Sequence, residues 1–239
     1  MNAILRRMRQ AECEGIETSL NGGALVCDPS GVIFAPNESL LVVSDLHLEK
    51  GAAFARRGMM LPPYDTAATL ELLELALERY RPKRVVCLGD SFHDRHGAAF
   101  MPAMYREVLV RLMTGRDWTW ISGNHDPEPP AFVGGETRES VTIGPWTFRH
   151  EPSAGLMPGE IAGHLHPVAR VAGGGGRSVR GACFASDGER MIMPSFGVTT
   201  GGLNVLDRAF HGLFRTGCAK AYVIGIRSIY PIGFASLCR

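Results

Sequence analysis

The chain has 239 residues, of which 45% are hydrophobic and 21% charged, and its formal net charge is +1. This composition is typical of a soluble globular protein, and the length does not require a second domain, so one domain over residues 1–239 is expected. A net charge near zero excludes a strong long-range attraction of the whole molecule to nucleic acid or anionic lipid. Any contact with nucleic acid is therefore expected to come from a local basic cluster.

The first residues and the cysteines favour a cytoplasmic protein. Residues 1–15 carry arginines but lack the apolar run and the small-residue cleavage site of a secretory signal, and no uninterrupted apolar run approaches membrane-spanning length. The six cysteines are widely scattered and form no CxxC pair, which argues against a disulfide framework or a zinc–thiolate site. We therefore expect reduced thiols, a cytoplasmic location and no membrane span.

The first half of the sequence alternates between short apolar runs and amphipathic segments. The apolar runs predict buried strands at residues 40–43, 85–88 and 118–121. Between the first two, Asp65 is predicted to be the N-cap of a helix. Pro102 is predicted in the first turn of a later helix. The inward faces of the two helices are predicted to carry Leu70, Leu73 and Leu77 in the first, and Tyr105, Val108, Leu109 and Leu112 in the second.

The second half is dominated by strand patterns. Strands are predicted at residues 141–143, 146–148, 160–162, 179–184 and 190–193, with a core strand within 219–226. The glycine run at 173–176 is expected to be a flexible hairpin loop, because no P-loop lysine or following helix accompanies it. Strand–helix alternation followed by a run of strands predicts an α/β sandwich, with a parallel part first and an antiparallel part later.

Polar residues interrupt the apolar pattern directly after the predicted strands. They occur in the segments SDLHLE, LGD, GNHD, WTFRH and GHLH. In open α/β sheets, ligands bind beyond the carboxyl ends of strands, so these side chains are expected to converge. The candidate metal ligands among them are Asp45, His47, Asp90, Asn124, His150, His164 and His166.

The residue types in this series indicate metal binding. Asp, Asn and His without cysteine suit borderline divalent ions such as Mn, Fe or Zn, whereas Mg alone favours an oxygen-dominated shell. A single D-x-H or H-x-H pair occurs often by chance, and a lone histidine is more often structural. Because the whole series occurs in order, each segment after a predicted strand, a metal site is the better interpretation.

This ordered series resembles the calcineurin-like metallophosphoesterase superfamily over about residues 40–166. The resemblance implies a double β-sheet sandwich flanked by helices and two divalent metal ions, with Mn expected and Fe or Zn as alternatives. It implies that the first ion is bound by Asp45, His47, Asp90 and His166, and the second by Asp90, Asn124, His150 and His164. His125 matches the catalytic histidine of the superfamily, which is not a metal ligand.

The implied chemistry explains these residue types. Two cations about 3.5–4 Å apart share a water molecule, lower its pKa, aim it at phosphorus and neutralise the phosphate oxygens. A bridging carboxylate fixes the separation of the cations, so Asp90 is expected to be the least replaceable ligand. His125 is expected to protonate the leaving oxygen, a contribution of roughly 10²–10⁴-fold. The chain is therefore predicted to be a dinuclear metal-dependent phosphoesterase.

Longer segments are similar to the bacterial ligase-associated DNA-damage-response endonucleases of the same superfamily. These segments are DLHLEKGAAFARRG, LGDSFHD, RHEP and GHLHP. The similarity implies cleavage of DNA phosphodiesters in DNA repair, with an ATP-dependent DNA ligase and a helicase as functional partners. Composition and spacing by themselves indicate neither the substrate nor the partners.

One segment departs from the phosphoprotein phosphatases of the superfamily. Those proteins carry GDxxDRG, in which the second Asp orients the catalytic histidine, whereas Asp94 and Arg95 come one position later in GDSFHDR. A protein-phosphatase function is therefore disfavoured, and the role of Asp94 stays open. His93 and Arg95 are candidates for substrate binding, with a surface or helix-start histidine as the alternative for His93.

Basic residues also follow the first motif closely. Lys50, Arg56 and Arg57 are candidate contacts to a phosphate backbone, and a solvated loop or helix face is the alternative interpretation. They form the nearest basic cluster in sequence to Asp45 and His47.

Three functions are compatible with these motifs. The leading one is a phosphodiesterase acting on DNA, and the second is a phosphodiesterase or phosphatase acting on a small nucleotide. The third, a non-catalytic binding scaffold, is disfavoured because all seven ligands and His125 are present. The metal ligands contact only the phosphate, so they do not separate the first two functions.

Overall fold

The computed structural model describes residues 14–59, 64–94, 97–125, 133–225 and 228–239. Within these residues the strands form two large sheets that enclose one apolar core between them. A second core lies between the first sheet and the helices. This architecture confirms the predicted double β-sheet sandwich flanked by helices, while a single domain over residues 1–239 stays a prediction.

The first sheet has seven strands in the described part of the chain, in the order β1 to β7. Strands β1 to β4 pair antiparallel and β4 to β7 pair parallel, which confirms the predicted parallel part. Strands β1 to β3 lie outside the sequence prediction; they are only three to five residues long, and β1 has exposed polar positions. The strands are β1 (Ile16–Leu20), β2 (Gly23–Cys27), β3 (Ile33–Ala35), β4 (Leu40–Val43), β5 (Arg84–Cys87), β6 (Asp117–Ile121) and β7 (Glu136–Arg138).

Strand β4 is apolar at every position because both of its faces are covered. Leu40 and Val42 face the core between the two sheets. Leu41 and Val43 face the helices. Since successive side chains of a strand point to opposite sides, a strand with two buried faces has an unbroken apolar sequence.

The helices are α1 (Lys50–Arg56), α2 (Asp65–Tyr80), α3 (Gly97–Phe100) and α4 (Ala103–Met113). The buried faces of α2 and α4 carry most of the predicted inward residues, including Leu73 and Leu109, and pack on the first sheet. Tyr105 and Val108 are only partly buried at the edge of this core.

Two predicted helix starts are wrong in detail. Tyr64 occupies the N-cap position of α2, and Asp65 is the first helical residue. The Asp65 carboxylate instead accepts a hydrogen bond of 2.9 Å from the backbone N–H of Gly51 in α1, so it connects the two helices. Pro102 is the N-cap of α4 rather than a residue of its first turn.

The second sheet has nine strands among the described residues. Its path runs β14-β11-β12-β13-β10-β9-β8, with β15 paired to β12 and β16 paired to β15. It is mixed, because β10 pairs parallel with both β9 and β13, and β11 pairs parallel with β14. The strands are β8 (Ser140–Ile143), β9 (Trp146–Arg149), β10 (Glu160–Ala162), β11 (Pro167–Ala172), β12 (Ser178–Ser186), β13 (Met191–Ile192), β14 (Leu203–Asn204), β15 (Lys220–Ile224) and β16 (Ile229–Gly233).

The remaining sequence predictions for this half are largely confirmed. The glycine run lies in the connection between β11 and β12, as expected of a hairpin loop. The strand predicted at 190–193 is shorter and comprises Met191–Ile192. Arg190, directly before it, is buried and forms an ion pair of 2.9 Å with Glu160. Across the residues that the structure describes, no helix is both long and apolar enough to cross a membrane.

Candidate metal centre

The predicted ligands converge at the carboxyl ends of strands from both sheets. The donor atoms of Asp45, His47 and His166 lie within 4.8 Å of one another, and those of Asp90, His150 and His164 form a second such group. The two groups adjoin, since Asp45 Oδ1 lies 3.9 Å from His150 Nδ1. Folding thus brings six of the predicted residues into the two groups implied by the sequence resemblance.

Five residues of these groups have a left-handed backbone. This conformation costs a non-glycine residue roughly 1–2 kcal/mol and persists only where the surroundings enforce it. In the loops after β4 and β5, two backbone hydrogen bonds of 2.9 Å hold it, from His47 N–H to Asp90 O and from Leu48 N–H to Ser91 O. The five residues, with φ between 45° and 66°, are Asp45, His47, Asp90, His164 and His166.

Three side-chain atoms of the first group are buried without a hydrogen-bond partner. They are Asp45 Oδ1, His47 Nδ1 and His166 Nε2. Asp45 Oδ1 and His166 Nε2 lie 3.0 Å apart, but their geometry is not that of a hydrogen bond. Two ligands about 2.1 Å from one cation, at right angles to each other, are separated by about the same distance. The chemistry and spacing of these atoms therefore fit a divalent cation.

Backbone carbonyls fix which imidazole nitrogens are available. His150 Nδ1 lies 2.8 Å from the carbonyl oxygen of Leu88, and His166 Nδ1 lies 3.2 Å from that of Gly201. Because a carbonyl oxygen only accepts, each Nδ1 carries the proton. The Nε2 atoms of His150 and His166 are then the ones that face the centre, an arrangement common for metal-binding histidines.

Burial and charge set opposite pKa shifts within the centre. Burial disfavours the charge of Asp90, but hydrogen bonding and charge from His150 outweigh it and hold the pKa of Asp90 well below its usual range. Burial also opposes the charge of His150, yet Asp90 and Asp45 raise the pKa of His150 to about 9. At His47, burial prevails over the same carboxylates and lowers the pKa to about 4. In the absence of a cation, the proton on His150 compensates part of the buried negative charge.

Two glycines provide the space that this packing requires. A Cβ at Gly89 would lie 2.6 Å from the His150 ring, and one at Gly163 would lie 2.0 Å from Ser44 Oγ and 2.6 Å from Asp45 Oδ2. Gly89 also has a φ of +73°. The glycines of LGD and GHLH are therefore steric requirements of the site.

Asn124 and His125 are adjacent in the chain but face different parts of the centre. The side-chain amide of Asn124 lies 3.4 Å from His164 Nδ1, in the second group. The His125 ring lies edge-on to His47 of the first group, with centroids 5.6 Å apart. His125 Nε2 is 3.8 Å from Asp90 Oδ2, and half of its side chain is exposed. His125 thus reaches the centre from the solvent side.

The predicted substrate-binding residues lie mainly in α1. Lys50 Nζ donates a hydrogen bond of 3.1 Å to the carbonyl oxygen of Thr199. Arg56 forms a 2.8 Å ion pair with Asp94, and its guanidinium lies 5.2 Å from the centre of the Phe100 ring. Arg57 is exposed immediately after the helix.

His93 belongs to the same side of the centre. Its ring stacks on His125 with centroids 5.5 Å apart and lies 5.7 Å from the ring of His47. The buried Nδ1 of His93 has no hydrogen-bond partner, and burial lowers the pKa of the side chain. His93 therefore faces the centre, while Arg95 lies outside the described residues.

Sequence reasoning missed several residues that support the ligands. Ser44 donates a short hydrogen bond to Asp45 Oδ2, and Ser195 Oγ donates one of 3.0 Å to the Asp45 carbonyl. The Gly201 carbonyl that orients His166 comes from the loop before β14. Only Ser44 lies within a motif, as the first residue of SDLHLE, so the other contacts were detectable only in the folded chain.

Comparisons with known proteins agree with this geometry. A family model described as calcineurin-like phosphoesterase matches residues 39–186, which include every predicted metal ligand. The chain is similar to the crystal structure of Pseudomonas putida nuclease MPE, with a TM-score of 0.72 and 27% identity over 92% of this chain and 100% of that one. Similarity to the E. coli phosphoesterase Yfce, with a TM-score of 0.40 and 18% identity over 81% and 97% of the two chains, is too low for comparison of the sites. No curated protein sequence gives a match.

Proposed function

The chain belongs to the calcineurin-like phosphoesterase family and is a metal-dependent phosphoesterase, and from this premise we propose that it cleaves phosphodiester bonds of DNA with two divalent metal ions. The observation that carries the proposal is the pair of adjoining donor groups, one of which contains three buried atoms without hydrogen-bond partners. Burying ionised carboxylates costs several kcal/mol unless they are paired, so the buried carboxylates of Asp45 and Asp90, with Asp45 Oδ1 lacking a hydrogen-bond partner, are best explained as cation ligands.

In this proposal, Asp45, His47 and His166 hold the first ion. Asp90, His150 and His164 hold the second, together with the amide oxygen of Asn124. Asp90 would be shared by the two ions, because its carboxylate lies 3.5 Å from His150 Nε2 of the second group, and its backbone carbonyl accepts the N–H of His47 in the first group. Mixed imidazole and carboxylate donors favour Mn, with Fe or Zn as alternatives.

The bound ions supply Lewis acidity, which lowers the pKa of a water molecule and neutralises phosphate charge. Around them, the residues of the chain have distinct tasks. His125 donates a proton to the leaving oxygen, because its exposed ring reaches the centre without belonging to either donor group. The Asp90 carboxylate accepts the backbone N–H of His125 at 2.9 Å and thereby positions it.

A nucleic-acid substrate is supported by two further observations. The similar structure from Pseudomonas putida is described as a nuclease. In addition, Lys50 and Arg56 on α1 and Arg57 directly after it follow Asp45 and His47 in the chain, where their positive charges can bind phosphates next to the one that is cleaved. His93 is proposed to contact the substrate beside His125, and Arg95 follows in the same segment.

The test is an activity screen with Mn-loaded protein. Single-stranded DNA, duplex DNA, cyclic nucleotides and an aryl phosphodiester are compared at equal enzyme concentration, with Asp90→Asn as the inactive control. We expect cleavage of DNA and of the aryl ester, and loss of both in the control. Efficient hydrolysis of nucleotides without any cleavage of DNA would instead establish the small-molecule phosphodiesterase. Binding of DNA without turnover would favour the non-catalytic scaffold.

The biological setting follows from the sequence resemblance and stays a prediction. It comprises a cytoplasmic role in DNA repair together with an ATP-dependent DNA ligase and a helicase. If this protein and the ligase act in one process, cells that lack both genes should be no more sensitive to DNA damage than cells that lack either one.

A further inference from the structure

A small cavity adjoins the second donor group. Asn124 and His150 form part of its wall, and its volume is about 240 Å³. The other lining residues come from the end of β6, the start of β8 and the end of β9. Of the described residues, none from α1 and none from the first donor group lines it. The cavity therefore extends from Asn124 and His150, and neither His125 nor α1 contributes to its wall.

The lining of the cavity is polar. Ser122 and Ser140 contribute hydroxyl groups, Glu139 and Glu151 contribute carboxylates, and Arg149 contributes a guanidinium. Together, these side chains can donate hydrogen bonds to a ligand and accept hydrogen bonds from it. Sites for drug-sized ligands are mostly apolar and measure roughly 300–1,000 Å³, so this smaller polar space suits a hydroxylated unit such as one sugar ring.

Arg149 places a guanidinium in the cavity wall beside the carboxylates of Glu139 and Glu151. Its Nε lies 3.5 Å from Glu160 Oε2, but the same carboxylate pairs with the fully buried Arg190 at 2.9 Å. One carboxylate thus serves two guanidinium groups. Arg149 Nη1 donates to Ser153 Oγ at 2.6 Å, and about a third of its side chain is exposed. It remains available to a ligand in the cavity.

A phosphodiester has two ester groups, of which one leaves during hydrolysis and the other stays bonded to phosphorus. The group that leaves must depart near His125, whose ring contacts those of His47 and His93 outside the cavity. Water adds to phosphorus, the bond from phosphorus to the leaving oxygen breaks, and the proton from His125 goes to that oxygen. The other ester group keeps its bond to phosphorus and needs space on another side of the centre.

We infer that the cavity holds this retained ester group and selects a sugar there through Arg149, Ser122 and Ser140. The inference rests on the proposed phosphodiesterase function and extends it, because it assigns the two halves of the substrate to different parts of the site. The leaving half lies toward α1, and the retained half lies beside Asn124 and His150.

Two esters with the same leaving group test the assignment. Methyl p-nitrophenyl phosphate and thymidine 5′-(p-nitrophenyl phosphate) both release p-nitrophenolate but retain a methyl group or a nucleoside. We expect the Mn-loaded wild-type protein to prefer the thymidine ester. Arg149→Ala should lower kcat/KM for that ester about tenfold more than for the methyl ester, since hydrogen bonds to charged groups contribute about tenfold or more in affinity. Arg149→Lys should restore part of the preference.

Arg138→Ala is the matched control, because Arg138 is an exposed arginine of the neighbouring β7 that pairs with Glu136 and does not line the cavity. It should leave the ratio between the two esters unchanged. Equal loss for both esters in Arg149→Ala would overturn the inference, since Arg149 would then act through the fold or the metal ligands. A wild-type protein without preference between the esters would overturn it as well. If neither ester is hydrolysed, the proposed function itself fails.

Discussion

Asp45 Oδ1 and His166 Nε2 lie 3.0 Å apart, and both atoms are buried without a hydrogen-bond partner. They come from loops of different sheets, after β4 and after β10, and their separation is more than one hundred residues in sequence. The Asp45 side chain is held by Ser44 and by the backbone N–H of His164, both of which bind its other oxygen. One oxygen is thereby fixed by the protein, and the other is left for a cation.

Metal content is the first prediction. The purified protein, loaded with Mn and measured by elemental analysis, should contain two ions per chain. An ion present at 100 times its Kd stabilises the fold by about 2.7 kcal/mol, and each kcal/mol raises Tm by roughly 2–4 °C for a chain of this size. A chelator should therefore lower Tm by several degrees. A chain that holds no ion after soaking in excess Mn contradicts both donor-group assignments.

The second prediction concerns His125→Ala. Turnover of DNA should fall roughly 10²–10⁴-fold, because the leaving oxygen loses its proton donor. Metal content should stay at the wild-type level, since the His125 side chain belongs to neither donor group. The defect should be smaller for an aryl phosphodiester, whose leaving group needs less protonation. Loss of the metal ions in this variant would identify His125 as a ligand instead.

The third prediction concerns the basic residues of α1 and its end. Replacing Lys50, Arg56 and Arg57 with Ala should weaken DNA cleavage and flatten the plot of log affinity against log salt by roughly two units, because each neutralised phosphate contributes about −0.7 to −0.9. Hydrolysis of an aryl phosphodiester should fall much less than cleavage of DNA. Binding is measured by fluorescence anisotropy at several salt concentrations.

A control for this variant removes the same charge at the opposite edge of the sheet. Lys83 and Arg84 lie at the amino end of β5, and Arg81 ends α2 with a left-handed backbone. Lys83→Ala and Arg84→Ala are therefore combined with Arg81→Asn, because Asn tolerates that conformation. The control should keep the wild-type salt slope. If both variants have the same slope of log affinity against log salt, DNA affinity depends only on the net charge of the protein.

The fourth prediction is that Gly163→Ala lowers metal affinity at least tenfold and destabilises the fold by about 1–3 kcal/mol, as overpacking of a dense site does. A Cβ there would displace Ser44 or the Asp45 carboxylate. Calorimetric titration with Mn and thermal unfolding measure the two effects. Gly174→Ala, at a position with open space around it, should change neither. If Gly163→Ala binds Mn with wild-type affinity, the position of the Asp45 carboxylate does not determine metal affinity.

The sequence by itself determined which residues converge and their order along the chain. Apolar runs such as 40–43 predicted the central strands, since a strand buried on both faces needs an unbroken apolar sequence. The polar residue after each run then lies at the sheet edge where ligands bind. The order of the motifs was therefore sufficient to predict which side chains converge, because their positions follow from the direction of the strands.

Only the tertiary structure decided how the site is divided and supported. Neither the different contacts of Asn124 and His125, nor the carbonyl of Gly201 behind His166, nor the pairing of Arg56 with Asp94 follows from sequence spacing. Asp65 shows the same limit, since its carboxylate accepts a hydrogen bond from Gly51 of another helix instead of capping its own. Such contacts join segments that are distant in the chain, and only the packing of the two sheets and their helices brings them within hydrogen-bond distance.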